Sequence, residues 1–216
     1  MSENNKKIAQ NGLFSDELVT SERIIYTPSG FAKENLTYLQ EVGELTALKA
    51  HSTGREDLSS YLFFVVTKGH GSVRYGGDIF KMNPGDCVFI NCLNKYEHIS
   101  SDDLWTLKWV HFNGMHMDAV SDKYKERGGR AVFSSADINE TTTLIDDIHA
   151  IAASDSYLRD MEIHEKLARL LLLIMRESWH EKNAAETSEK RRDLRLIREY
   201  IEENYDRDIR LDALAK

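Results

Sequence analysis

The sequence is poor in cysteine, in proline and in long apolar runs. It contains two cysteines and two prolines among its 216 residues. Cys87 and Cys92 are five positions apart in a segment that reads as a strand, so they should point to opposite faces and not form a disulfide. Two buried thiols are typical of a reducing compartment. The longest wholly apolar run, residues 170–175, is far too short to span a membrane.

Signals for export and for nucleic-acid binding are also missing from most of the chain. The first residues, MSENNKKIAQNG, contain no apolar segment like that of a signal peptide. The net charge is −8, and from Ser188 onward eight basic residues balance eight acidic ones, so the whole deficit lies in residues 1–187. Phosphate binding needs clustered Lys and Arg, which this acidic part lacks. We therefore expect a cytoplasmic protein with no membrane partner, whose first 187 residues do not bind DNA.

Short strands separated by glycine dominate residues 36–113. The run SYLFFVVTKG is rich in strand-forming residues, and Gly76-Gly77 suits the two-residue turn of a hairpin. The stretch LWTLKWVHFNG alternates with a period of two residues. One face of that strand should carry Trp105, Leu107, Trp109 and His111. The pattern predicts a β-sandwich or a small barrel.

After Gly129 the apolar period becomes helical. A possible capping box from Ser134 to Asp137 opens a helix predicted over about 135–152. A longer helix is predicted over 159–182, and apolar residues surround its middle. A helix that is apolar on two faces must bury both of them. One face should pack against the sheet. The other face is expected to meet a second copy of the chain, unless the helix is simply buried inside a monomer.

Sequence motifs of catalysis are missing. His51, His98 and His111 fall near the β region, but the sequence has no His-x-His pair, no His-Glu-x-x-His helix and no Cys-x-x-Cys. The stretch GHGSVRYG is followed by a strand and lacks the spacing of a phosphate-binding loop. No nucleophile elbow or carboxylate pair stands out. We expect no metal, no cofactor and no enzymatic activity.

A small-molecule pocket is the remaining possibility. A small barrel can hold one ligand among inward-facing side chains. Trp109 offers a ring that could stack on a sugar, and Arg55 offers a forked donor for hydroxyls or a carboxylate. The alternatives are a tryptophan that belongs only to the core and an arginine that forms a surface ion pair.

The last residues read as a separate helical segment. Residues 183–192, NAAETSEKRR, lack apolar content and are typical of a linker. Beyond them, Leu194, Ile197 and Ile201 form a helical stripe. The residues DRD then break the helix, and LDALAK begins another.

Two stretches together resemble the AraC/XylS family of transcription regulators. Residues 60–114 are similar to its cupin-type sensor domain, with a strand ending in Gly-x-Gly, a Tyr-x-Gly hairpin, Pro-Gly-Asp before a strand, a histidine, and W-x-x-x-W-V-H-F-x-G. The tail LRLIREYIEENYDRDIRLDALAK resembles the first helix and the start of the second in the family's DNA-binding domain. The resemblance covers residues from about 20 to 216.

The resemblance implies an α+β fold with a defined order of parts. Residues 21–182 would be a cupin-like β-barrel or sandwich followed by a helical dimerisation pair, and residues 1–20, which lie before the resemblance and are polar and aperiodic, are expected to be a flexible arm. After the linker, residues 193–216 would begin a helix-turn-helix domain. The second helix of such a unit reads the bases, and the chain ends before it, so we expect no specific operator binding by these 216 residues.

The resemblance also implies a function, partners and sites. The chain would be the sensing and dimerising part of a regulator that responds to a sugar or a related small metabolite. Its other partners would be a second copy of itself and, through the missing domain, DNA. The implied ligand-binding residues are Arg55, Trp109, His98, Leu107, His51 and Phe63. The implied dimer interface is Leu167, Leu170, Leu171 and Ile174. The alternatives are a metal-dependent cupin enzyme, such as an isomerase or dioxygenase, and a cupin that only dimerises.

Overall fold

The computed structural model describes residues 17–178 together with residues 197, 198, 200 and 201. The chain divides into two units, residues 1–178 and residues 179–216. The four described residues of the second unit are helical, within the helix predicted there. Most of the predicted arm, the whole linker and the predicted second helix of the tail lie outside the described residues.

Ten strands form two antiparallel sheets in the first unit. They are β1 (Val19–Ile25), β2 (Thr37–Ala47), β3 (Ser52–Arg55), β4 (Tyr61–Lys68), β5 (Gly71–Tyr75), β6 (Asp78–Met82), β7 (Asp86–Asn91), β8 (Tyr96–Ser100), β9 (Thr106–Gly114) and β10 (Val132–Ser134). The larger sheet has the order β1-β2-β9-β4-β7-β10, and the smaller one β3-β8-β5-β6. The predicted Gly76-Gly77 hairpin turn is confirmed, because both glycines have positive φ, at 61° and 93°.

Helices cover one face of the larger sheet. They are α1 (Gly30–Asn35), α2 (Met117–Glu126), α3 (Ile138–Ala153) and α4 (Arg159–Glu177). The smaller sheet covers the other face, which gives three layers and two hydrophobic clusters. Strand β4 separates the clusters by simple alternation. Phe63 and Val65 belong to the helix-side cluster, whereas Phe64 and Val66 belong to the cluster between the sheets.

The inward face of α4 is covered within a single subunit. Leu167, Leu170 and Ile174 are at most 1% exposed and pack in the helix-side cluster, and Leu171 packs against the edge of that cluster. Leu167, Leu170 and Ile174 are therefore not available for the dimer interface predicted for them, whereas Leu171 is only partly buried. The spacing of the three buried side chains is that of one helical stripe, and the larger sheet already covers it.

Other element boundaries also differ from the prediction. Strand β1 begins at Val19, inside the segment expected to be an arm, and it pairs with β2 along its whole length. Helix α3 is capped by Asp137, whose carboxylate accepts from the Glu140 amide at 2.9 Å. Ser134 instead ends β10, so the predicted capping box is wrong. Helices α1 and α2 and strand β10 were not predicted.

The two cysteines lie on opposite faces of the larger sheet, as expected. Cys87 belongs to the helix-side cluster and Cys92 to the cluster between the sheets, and both thiols are free and buried. Burial raises the pKa of Cys87 well above its usual range and that of Cys92 to about 12, so neither thiol is a reactive nucleophile at neutral pH. None of the described helices has the length and apolarity needed to cross a bilayer.

Candidate functional site

An inner cavity of about 40 Å³ lies between the two sheets. Its walls come from β2, β4 and β9 of the larger sheet and from β3 and β8 of the smaller one. The apolar lining consists of Leu45, Leu62, Tyr96, Trp105, Leu107 and Trp109. The polar lining consists of Glu41, His51, Thr53, Arg55, His98 and His111. A mostly apolar chamber with a few polar groups is typical of a small-molecule site.

A larger outer pocket of about 420 Å³ adjoins the inner cavity. The two share Glu41, Arg55 and His111, so these side chains lie at the junction between them. The outer pocket is more polar, and Arg23, Gln40, Glu56 and Ser60 are among the residues that line it. The inner cavity alone admits only a few atoms, and a metabolite would have to occupy both.

Two tryptophan rings of the cavity lie directly over glycines. A Cβ added at Gly43 of β2 would lie 2.6 Å from Trp109 Cη2 and still closer to the Glu22 backbone carbonyl oxygen of β1. A Cβ added at Gly71 of β5 would lie 2.5 Å from Trp105 Cζ3. These separations are too short for any side chain larger than hydrogen. The two glycines therefore fix the depth at which the indole rings sit.

Glu41 is a buried carboxylate that forms hydrogen bonds both to a cavity residue and to strand β1. Its Oε1 accepts a hydrogen bond from Trp109 Nε1 at 3.0 Å, and its Oε2 accepts one from Arg23 of β1 at 2.8 Å. The two donors offset the cost of burying the charge, since Glu41 is only 8% exposed. A register shift between Leu39 and Glu41 changes the alternation of β2. This bulge turns Glu41 toward the cavity, while Leu39 belongs to the helix-side cluster.

Two histidines of the cavity are neutral at physiological pH. Burial is the main cause that lowers the pKa of His98 to about 3, with smaller contributions from His111 and Arg55. Burial likewise lowers the pKa of His111 to about 3, assisted by Arg55. His111 Nδ1 lies 3.0 Å from the Ser60 hydroxyl. By contrast, His98 Nε2 is buried and has no hydrogen-bond partner in the described part of the chain.

Arg55 is the cation at the junction of the two pockets. It is partly buried on β3, opposite Tyr96 of β8. Its guanidinium forms no ion pair with any of residues 17–178. The alternative of a surface ion pair for this arginine is therefore not met within that range. The positive charge of Arg55 nevertheless acts on the cavity, because its repulsion of the protonated imidazole contributes to the lowered pKa of both His98 and His111.

The structure brings together five of the six residues predicted for ligand binding, all of which line the inner cavity. They are His51, Arg55, His98, Leu107 and Trp109. Phe63 is not among them. It lies on the helix-side face of β4 with Phe89 and Phe112, because alternation along the strand gives the cavity Leu62 instead. Sequence reasoning missed Glu41 and Tyr96.

A metal centre is not supported by the side chains of this region. Three histidines line the inner cavity. Yet no group of three or more His, Cys, Asp or Glu side chains among the described residues is arranged to hold a metal ion.

Comparison with known proteins identifies a family. The model of the family described as the AraC-like ligand binding domain matches residues 40–187. No curated protein matches the sequence. The α+β fold expected from the sequence is confirmed, since two antiparallel sheets pack with helices in the described residues.

Among solved structures, the AraC-like transcriptional activator CuxR is similar at 13% identity, with a TM-score of 0.44. The alignment covers 80% of this chain and 65% of that one, so this chain spans about two-thirds of the activator. A Cupin 2 conserved barrel domain protein from Salinispora arenicola is similar at 14% identity, with a TM-score of 0.35, over 50% of this chain and 87% of that one.

Proposed function

Because the chain belongs to the family of AraC-like ligand-binding domains, we propose that it is the effector-sensing and dimerising part of a transcription regulator. Its effector is a sugar or a related small metabolite, bound between the two sheets. The regulator reads DNA through a C-terminal helix-turn-helix domain that begins near residue 193. The acidic first 187 residues leave DNA binding to that domain.

The observation that carries this proposal is the pair of adjoining cavities with Arg55 and Trp109 in their walls. An indole ring can stack on the apolar face of a sugar, and a guanidinium can form paired hydrogen bonds with polar groups of a ligand. The two residues were singled out from the sequence for these reasons. They come from β3 and β9, which belong to different sheets. A ligand held by both would therefore bridge the sheets.

The Trp109–Glu41–Arg23 chain offers a route from the cavity to the N-terminal segment. A ligand that moves the Trp109 ring changes the hydrogen bond to Glu41, and Glu41 in turn holds Arg23 on β1. Strand β1 begins at Val19, inside the segment predicted to be an arm. Effector binding would then favour one arrangement of that segment over another, which requires only a difference in affinity between the two states.

Dimerisation is assigned to the outward face of α4 rather than to its buried face. The exposed positions of α4 and its N-cap residue are Leu158, Met161, Glu165, Ala168, Leu172 and Arg176. Their spacing of three and four residues is that of a coiled-coil seam. Leu158, Met161 and Leu172 are 47%, 49% and 45% exposed in the subunit. Such a stripe, repeated on a second copy about a two-fold axis, supports a homodimer.

Thermal unfolding against a panel of sugars, sugar acids and phosphorylated sugars tests the proposal. A ligand at about 100 times its Kd stabilises the fold by roughly 2.7 kcal/mol. For a chain of this size the expected rise in Tm is roughly 5–11 °C. A selective rise supports the proposal, and no rise with any compound would leave a scaffold that only dimerises.

A substitution in the cavity locates the binding. Trp109→Ala should abolish the response, whereas Tyr157→Ala, at an aromatic residue 93% exposed on the surface, should preserve it. Because the Trp109 ring is buried, its removal also lowers the baseline stability. Binding to that variant is therefore titrated well below its unfolding temperature. Equal binding by Trp109→Ala and by the unsubstituted chain would place the ligand outside the cavity.

A further inference from the structure

The charges around the cavity narrow the chemical class of the effector. We propose that the effector is a small hydroxy acid, the class that includes the sugar acids, and that Arg55 binds its carboxylate. This inference rests on the proposed effector-binding role of the cavity, and goes beyond it by requiring a negative charge on the ligand. A neutral sugar has no charge that could pair with the Arg55 guanidinium.

The first argument is that Arg55 has no anionic partner within residues 17–178. Its guanidinium lies in the walls of both pockets, partly removed from water, and forms no ion pair within residues 17–178. A partly buried guanidinium is costly to leave uncompensated, and a carboxylate matches its forked donors in two parallel hydrogen bonds. The position at the junction lets a ligand reach Arg55 from the outer pocket while part of its body enters the inner one.

The second argument is that the nearby acidic groups do not fill this role. Glu41 is occupied on both oxygens, by Trp109 Nε1 at 3.0 Å and by Arg23 at 2.8 Å. Glu56 lines the outer pocket but is exposed and forms no ion pair with Arg55. Glu41 and Arg23 therefore compensate each other, and the positive charge of Arg55 remains for a ligand.

The third argument concerns the hydroxyl groups of the ligand. The ring of His98 lines the inner cavity, and its Nε2 is a buried polar atom with no partner among the described residues. Such an atom costs free energy until a partner is supplied. A ligand hydroxyl can donate to a neutral imidazole or accept from it. The low pKa of His98 keeps the ring neutral at pH 7, so it adds no second cation that would favour a phosphate dianion.

Matched pairs of ligands that differ only in the acid group test this assignment. The probes are galactose and galacturonate, glucose and glucuronate, and glycerol and glycerate, with glucose 6-phosphate as the phosphate arm. We expect at least one acid to raise the Tm of the chain while its neutral partner does not at the same concentration. Titration calorimetry then gives the Kd of that acid.

Two arginine variants separate a specific contact from general attraction. Arg55→Gln should weaken the Kd of the acid about 10- to 100-fold, the loss expected for hydrogen bonds to a charged group. Arg74→Gln is the matched control, because Arg74 pairs with Glu97 at 2.7 Å on the exposed side of the smaller sheet. It carries the same change of net charge and should leave the Kd within about twofold.

The outcomes distinguish this inference from the proposed function. A neutral sugar that binds as tightly as its acid, or a phosphate that binds more tightly, overturns the inference and leaves an effector-binding cavity. An unchanged Kd in Arg55→Gln also overturns it. If none of the compounds binds, neither the hydroxy-acid assignment nor the wider proposal of a sugar-like effector stands.

Discussion

Replacing His98 by phenylalanine should make the ligand-free protein more stable. His98 Nε2 is buried without a partner in the described part of the chain. Removing a buried unsatisfied group recovers about 1–3 kcal/mol. The larger ring can be accommodated, because His98 adjoins the inner cavity and meets the Phe64 and Trp105 rings edge-on, at centroid distances of 5.0 and 6.3 Å. At pH 7 the free energy of unfolding should therefore rise by about 1–3 kcal/mol.

The gain should grow as the pH falls. The pKa of His98 is about 3 in the folded protein and about 6.5 when exposed, so the unfolded chain binds the extra proton between these values. Above pH 6.5 the imidazole is neutral in both states and does not change the free energy of unfolding. As the pH falls from 6.5 toward 3, only the unfolded chain binds the proton, so the free energy of unfolding decreases. At pH 5 this loss amounts to about 2 kcal/mol for one such histidine. The phenylalanine variant avoids it, and its advantage should reach about 3–5 kcal/mol.

Urea denaturation at pH 7 and pH 5 measures both effects. The control is His116→Gln, at an exposed histidine whose replacement removes no buried group. The variant should also lose affinity for the effector, because the ring proposed to meet a ligand hydroxyl is gone. A variant that is no more stable than the unsubstituted chain at pH 7, with the same stability loss between pH 7 and pH 5, would refute the reasoning.

Two further substitutions test the packing of the Trp109 ring against β2 and the proposed dimer. Gly43→Ala would place a methyl group against the Glu22 backbone carbonyl oxygen of β1 and 2.6 Å from Trp109 Cη2, so urea denaturation should show a loss of about 1–3 kcal/mol from overpacking, and the contact with the indole should shift the tryptophan fluorescence maximum. Gly30→Ala is its control, since nothing lies within 4 Å of the added Cβ, and equal effects of the two would contradict the steric account. Leu172→Glu should convert the dimer to a monomer in light scattering, whereas Met115→Glu, 67% exposed and outside α4, should not; an intact dimer in Leu172→Glu would exclude the outward face of α4.

The cavity-facing side of β9 could be predicted from the sequence because that strand alternates. Leu107, Trp109 and His111 all line the inner cavity. Strand β4 gave no such signal, because Tyr61–Val66 is apolar without interruption and is buried on both faces. Nothing in its pattern says which side faces the helices, and Phe63 was placed on the wrong one.

Glu41 could not be predicted for a different reason. A bulge between Leu39 and Glu41 breaks the alternation of β2, and a bulge leaves no reliable mark in a single sequence. The partners of Glu41 also come from distant parts of the chain, since Arg23 and Trp109 are 18 and 68 positions away.

The apolar middle of α4 was interpreted correctly as needing cover on the sheet, but residues of the sheet-covering face were named for the dimer. The sheet of the same subunit covers Leu167, Leu170 and Ile174, and the flanking Leu171 and Met175 pack against the same cluster. Only Leu172 remains substantially exposed in that run. Composition around a helix shows how much surface must be buried, whereas the choice between sheet and second subunit depends on tertiary packing.

The most direct test of the central claim is a crystal structure of the chain with the acid that gives the largest rise in Tm. The account predicts ligand density between the two sheets, with a carboxylate on the Arg55 guanidinium and the body of the molecule against the Trp109 ring. A ligand bound elsewhere on the protein, with the space between Arg55 and Trp109 unoccupied, would contradict it.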